Sequence, residues 1–175
     1  MSLTLVIGGA RSGKSRHAQA LALALSPRPL YVATSRVWDA DHAERIARHR
    51  RDRGPEWRTL ECELELAALE LTGEVAVIDC VTLWLSNFFS DLEGDVDRCL
   101  ERARAQIDQL ALKRATLIVV SNELGQGVHA ATEVGRKFTD LQGLVNQHIA
   151  ARAENVAWMV AGIPCYVKGK APSAG

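Results

Sequence analysis

The chain is short of several features that would narrow its class at once. Its four cysteines, Cys62, Cys80, Cys99 and Cys165, include no Cys-x-x-Cys pair. That spacing argues against a zinc ribbon or a thioredoxin-like centre and predicts free thiols, with Cys80 buried as a small hydrophobe at the end of an apolar run. Net charge is absent too. Twenty-one Lys plus Arg balance twenty-one Asp plus Glu, so no global field draws the chain towards nucleic acid or anionic lipid, and any anion site must be local. No apolar stretch approaches the ~20 residues of a membrane span. The N-terminus runs into a five-residue apolar stretch without a charged region before it, which is not the pattern of a signal peptide, and the cytoplasm is the expected compartment. Internal repeats and low-complexity tracts are lacking. Aromatic residues are few, with four Trp, three Phe and two Tyr.

What is present describes one globular domain. In 175 residues, 47% are hydrophobic and 24% charged, near the average for folded soluble chains. Short apolar runs alternate with longer helical patterns, which predicts an α/β fold with a largely parallel sheet covered on both faces. Five buried strands are expected: Leu3 to Ile7, Leu30 to Ala33, Val75 to Asp79, Thr116 to Ser121 and Val156 to Ala161. Steps of three and four residues predict helices over Lys14 to Leu25, Asp39 to Arg53, Glu63 to Leu71, Val96 to Lys113 and Glu133 to Glu154. Gly73 and the stretch from Asp91 to Asp95 read as turns, with Asp95 placed to cap a helix. Residues 1–168 form the expected domain and 169–175 a loose tail. Trp84 and Trp158, in apolar runs, are assigned to the core, whereas Trp38 and Trp57 border an arginine-rich helix. His17, His42, His129 and His148 have no motif around them and are taken as polar surface residues.

The strongest chemical signal is Gly8-Gly9-Ala10-Arg11-Ser12-Gly13-Lys14-Ser15, which fits G-x-x-x-x-G-K-S between the first strand and the first helix. Glycines let backbone N–H groups wrap an anion, the helix N-terminus adds positive potential, Lys14 supplies a point charge and Ser15 a ligand for Mg²⁺. This pattern is built for a nucleotide polyphosphate. Asp79 ends the apolar strand Val75 to Ile78, where P-loop proteins keep a carboxylate that helps to hold Mg²⁺; helix capping is its alternative role.

Sixteen of the basic residues are Arg, and five of them fall within Arg45-Ile-Ala-Arg48-His49-Arg50-Arg51-Asp52-Arg53. Helical steps set His49 among cations, and a positive surround favours the neutral, nucleophilic imidazole. The same guanidiniums can clamp a polyphosphate and stabilise charge on a transferring phosphoryl group. From this segment alone, covalent transfer and a merely solvated arginine face both remain open.

Six blocks, 8–16, 31–35, 45–50, 57–61, 79–87 and 121–125, resemble in order the bifunctional adenosylcobinamide kinase / adenosylcobinamide-phosphate guanylyltransferase family of cobalamin synthesis, across essentially the whole chain. The resemblance implies a P-loop core related to the RecA type, assembled as a homotrimer. It further implies two reactions: phosphorylation of the cobinamide hydroxyl by ATP or GTP, then transfer of GMP from GTP to the resulting phosphate with loss of pyrophosphate. His49 falls on the family's guanylylated histidine, and residues 8 to 15 on its phosphate cradle. Ala33, Thr34 and Ser35 fall on nucleotide contacts, and Arg50, Arg51, Asp52, Arg53 and Glu61 on the lining of the GTP site. A carboxylate such as Glu61 can accept from the N1 and N2 donors of guanine, which adenine lacks. GTP, ATP and Mg²⁺ are the implied ligands, with small corrinoids as partners.

Two rival readings follow from the same residues. One is a monofunctional P-loop small-molecule kinase in which His49 is incidental. The other is a nucleotide-dependent binding or switch module, which the missing Asn-Lys-x-Asp motif disfavours. Glu123, at the end of the fourth expected strand, is a candidate for aligning the acceptor hydroxyl, with metal binding and turn capping as alternatives.

Overall fold

A computed structural model describes residues 2–37, 44 and 53–172 of the chain. Its centre is a seven-stranded sheet formed by β1 (Ser2–Gly8), β2 (Leu30–Ala33), β3 (Arg58–Glu61), β4 (Val75–Asp79), β5 (Thr116–Asn122), β6 (Asn155–Val160) and β7 (Ile163–Lys168), in the order β3-β2-β4-β5-β1-β6-β7. All neighbours are parallel except β6 and β7, which form an antiparallel hairpin. Helices are α1 (Lys14–Leu25), α2 (Val81–Asp91), α3 (Val96–Leu110) and α4 (Glu133–Arg152).

The central strands β1, β2, β4 and β5 are continuous apolar runs because both faces are covered. Alternate side chains of β1 go to opposite sides: Leu3 and Leu5 join a cluster with Trp84, Phe88, Ile107, Leu141 and Val145 from α2, α3 and α4. Val6 joins Ala18 and Ala22 of α1 with Val77, Ile118 and Met159. In α3, Cys99, Ala103, Ile107 and Leu110 form the buried stripe read from the sequence, and Asp95 caps it by accepting from Arg98 N at 3.0 Å. The turn before it places Glu93 and Gly94 at positive φ, 52° and 78°.

All five expected strands are found. Two more, β3 and β7, lie at the edges, where side chains are largely exposed and an apolar run is not needed. The helix expected over Glu63 to Leu71 is instead a single 3-10 turn at Leu66–Ala68. One reason is that Leu64 O accepts from Trp84 Nε1 at 2.7 Å and Glu63 O from Asn87 Nδ2 at 2.9 Å, so tertiary donors take the carbonyls that a helix would use. Helix α2 was not among the sequence expectations. Its residues, VTLWLSNFFSD, are too evenly apolar for a clear stripe, and Val81, Trp84, Leu85, Asn87 and Phe88 are all buried. Trp158, expected in the core, is 36% exposed on β6. The helix expected over Asp39 to Arg53 falls mostly outside the described residues.

The four cysteines are free, with Cys80 and Cys99 buried and Cys165 exposed. No helix among the described residues is long and apolar enough to cross a membrane. Residues 169–172 follow β7, and Lys170 N donates to Asn155 Oδ1 at 3.0 Å.

Candidate nucleotide site

The carboxyl ends of the parallel strands share one rim, and register aligns the candidate residues along it. Glu61 pairs with Ala33, and Ala33 with Asp79, across β3, β2 and β4. Asp79 in turn pairs with Val120 of β5, and Gly8 of β1 with Asn122. An open α/β sheet binds ligands at this edge.

Between β1 and α1 the chain turns through Gly9 to Gly13. Ser12 N donates to Gly9 O at 3.3 Å, Arg11 sits at φ 56°, and Gly13 precedes the helix at φ 92°. Glycine is needed twice for different reasons. A Cβ on Gly8 would lie 2.7 Å from Met159 O, so β6 excludes a side chain there; one on Gly13 would lie 3.2 Å from Gly162 Cα in addition to the left-handed backbone. The β6–β7 turn, with Ala161 and Gly162 at positive φ, closes on this loop, and Gly162 N donates to Ser12 O at 3.0 Å. Arg11, Ser12, Gly13, Lys14, Ser15 and Arg16, with Ala161 and Gly162, line an open cleft of about 460 Å³. The first turn of α1 contains no acidic residue, so its positive end is left for an external anion.

Lys14 is 8% exposed, and its Nζ donates to Gly9 O at 2.6 Å. Burial pulls its ammonium below the ordinary lysine value, with Cys80 and Asp79 pulling the other way. A largely desolvated cation with one neutral acceptor gains from an arriving phosphate. Asp79 is half-buried at the end of β4, and Tyr31 Oη donates to its Oδ2 at 2.9 Å. Burial, and then Asp79 itself, hold the Tyr31 phenol far above its usual range, fixing it as a donor.

The residues after β2 divide in role. Ala33 and Ser35 are partly exposed at the rim. Thr34 is fully buried; its hydroxyl donates to Cys80 O at 2.8 Å and its carbonyl accepts from Asn87 Nδ2 at 2.9 Å. It ties the loop after β2 to the one after β4. Arg53 lies with its guanidinium carbon 3.8 Å from the centre of the Tyr31 ring. Glu61 is exposed at the end of β3. His49, Arg50, Arg51 and Asp52 lie outside the described residues. Glu123 N donates to Gly8 O at 3.0 Å, and its carboxylate accepts from Gly125 N at 2.8 Å, the turn-capping alternative.

Tyr31 and Arg16 fall inside the blocks 31–35 and 8–16, but the sequence assigns neither a role. The β2 alternation, with Tyr31 two residues before Ala33, was the available sign that its side chain shares a face with Asp79. Of the histidines set aside, His17 Nε2 lies 3.2 Å from Tyr166 Oη, and His148 Nε2 lies 2.9 Å from Asp108 Oδ1. The first joins α1 to β7 and the second α4 to α3.

A glycine cradle between a parallel strand and a helix, a lysine held inside it and a carboxylate ending a second strand define a P-loop α/β nucleotide-binding enzyme fold. β5 separates the P-loop strand from the Asp79 strand. The family model CobU, described as cobinamide kinase / cobinamide phosphate guanyltransferase, matches residues 4–167, and the chain belongs to that family. It is 41% identical over 170 residues to the bifunctional adenosylcobalamin biosynthesis protein CobP of Pseudomonas aeruginosa, covering 95% of this chain and 97% of that one. To the proteins named CobU of Escherichia coli K12 and Salmonella typhimurium it is 40% and 38% identical, each over 95% of this chain and 99% of the relative.

Proposed function

We propose that this protein phosphorylates adenosylcobinamide with ATP or GTP and then guanylylates the product through a covalent GMP on His49. The Lys14 cradle at the β1–α1 junction is the observation that supports it most, because both reactions need the same triphosphate held at its β and γ groups.

In the first reaction the acceptor hydroxyl attacks the γ-phosphorus, its proton passes to water and the nucleoside diphosphate leaves; Lys14 and the loop amides offset the charge that moves onto the leaving group. In the second, a His49 ring nitrogen bonds to the α-phosphorus as the bond to the bridging oxygen breaks. Pyrophosphate departs with the electron pair, and the ring proton passes to water. A phosphate oxygen of adenosylcobinamide phosphate then attacks the same phosphorus and expels the imidazole, which takes a proton back from water. Arg50, Arg51, Asp52, Arg53 and Glu61 line the GTP side in this reading.

A hydroxyl from Ser15 and a carboxylate from Asp79 suit Mg²⁺, which takes few protein ligands and completes its shell with phosphate and water. The donor set fits: Ser15 lines the cleft beside Lys14, and Asp79 ends β4 with Oδ2 accepting from Tyr31. When bound, the cation neutralises charge on the β and γ oxygens. The compartment in this reading is the cytoplasm and the assembly a homotrimer; sedimentation of the purified protein tests the assembly.

Product analysis separates this reading from a simple kinase. His49→Ala is expected to convert adenosylcobinamide to its phosphate and to stop there, whereas the parent goes on to adenosylcobinamide-GDP. Conversion by the variant through to the GDP product overturns the histidine route.

A further inference from the structure

Tyr31 makes three contacts that the chemistry above does not use. Its hydroxyl donates to Asp79 Oδ2 at 2.9 Å, its ring receives the Arg53 guanidinium at 3.8 Å, and the Trp57 ring packs edge-on with centroids 5.9 Å apart. The side chain is 7% exposed. Register explains the first contact: Tyr31 pairs with Val77 and Ala33 with Asp79, so Tyr31 and Asp79 project to the same face one step apart. The bond falls on Oδ2 and leaves Oδ1 to another partner. The second contact has an odd feature. Arg53 Nε is buried and has no hydrogen-bond partner, so the Tyr31 ring is the contact that meets this face of the guanidinium among the described residues.

A buried tyrosine needing only a partner for its hydroxyl has many main-chain carbonyls within a sheet to choose from. This one instead bridges the last residue of the arginine-rich segment and the carboxylate at the tip of β4. We infer that Tyr31 is a positioning residue that orients Asp79 for a divalent cation through its hydroxyl and seats Arg53 against the nucleotide site through its ring. The inference rests on the reading of Asp79 as a magnesium ligand. Partners of metal ligands, when removed, weaken metal binding by about 10–100-fold, because the ligand then samples rotamers that cannot coordinate.

The two roles come apart in two variants. Tyr31→Phe keeps the ring and loses the hydroxyl; Tyr31→Leu loses both. Mn²⁺ binding is followed by EPR with a non-hydrolysable GTP analogue present. The Phe variant is expected to bind Mn²⁺ about tenfold more weakly than the parent, to keep its KM for GTP at saturating Mg²⁺, and to show no further loss when combined with Asp79→Asn. The Leu variant is expected to raise that KM as well. Parent-like Mn²⁺ affinity in Tyr31→Phe, or an equal loss on the Asp79→Asn background, overturns the orienting role, and identical KM values in the Phe and Leu variants overturn the seating role. Equal Mn²⁺ affinity in the parent and in Asp79→Asn removes the metal reading itself and this inference with it.

A second readout needs no change at Tyr31. The chain has only two tyrosines, Tyr31 and Tyr166, so fluorotyrosine incorporated into a Tyr166→Phe background reports on Tyr31 alone. Its fluorine resonance is expected to shift when Mg²⁺ joins the bound analogue and to stay in place in Asp79→Asn. A resonance indifferent to Mg²⁺ in both proteins overturns the proposal.

Discussion

At the scale of single residues, two positions in the cradle allow no side chain for reasons that can be measured. Gly13→Ala combines a φ of 92° with a Cβ 3.2 Å from Gly162 Cα, and strain of this kind costs about 1–3 kcal/mol. The expected result is a lower melting temperature together with weaker GTP binding, since the hairpin turn must move away from the loop. The thiols provide a second residue-scale test. Burial, followed by the nearby Asp79, pushes the Cys80 thiol up to about 12, and Cys99 is buried as well. Under native conditions a thiol reagent is expected to modify exposed Cys165 first and Cys80 only on unfolding, as peptide mapping of the labelled protein will show.

At the scale of elements, α2 and α1 illustrate different couplings. Trp84 is fully buried and its indole donates to Leu64 O at 2.7 Å, so this one residue fixes the chain before β4 to the helix after it. Trp84→Phe keeps most of the volume but removes the indole donor, leaving Leu64 O only its bond from Leu66 N, an expected loss of about 1 kcal/mol in denaturant unfolding. His17, on α1, touches Tyr166 of β7, and burial lowers its pKa below the usual 6.5. Its folded-state value lies under its unfolded one, so the unfolded chain binds the extra proton as pH falls through about 6.5. Stability is therefore full above that pH and declines below it, and His17→Gln is expected to flatten the acid side of the melting profile. The central strands and the cradle were legible in the sequence because each obeys a local rule: an apolar run buried on both faces, or a glycine spacing that only one turn satisfies. The second helix was not, since a uniformly apolar stretch has no period to read, and the Glu63 to Leu71 stretch follows partners twenty or more residues away. Thr34 shows the same limit within the site. Its sequence block pointed to the nucleotide, but its hydroxyl is engaged by the Cys80 carbonyl through a contact between two loops.

For the molecule as a whole, the strand order brings residues from β1, β2, β3 and β4 to a single rim, and a ligand bound there stabilises every element that meets it. GTP at a hundred times its Kd adds about 2.7 kcal/mol, which for a chain of this length raises Tm by roughly 5–10 °C. Lys14→Ala is expected to abolish that rise along with both activities. The single most direct test of the two-reaction account is the intact mass of the protein after GTP and Mg²⁺, with no corrinoid present. A GMP adduct that survives alkali, is lost in acid and maps to His49 is the predicted result; unmodified protein, or an adduct that persists in His49→Ala, contradicts it.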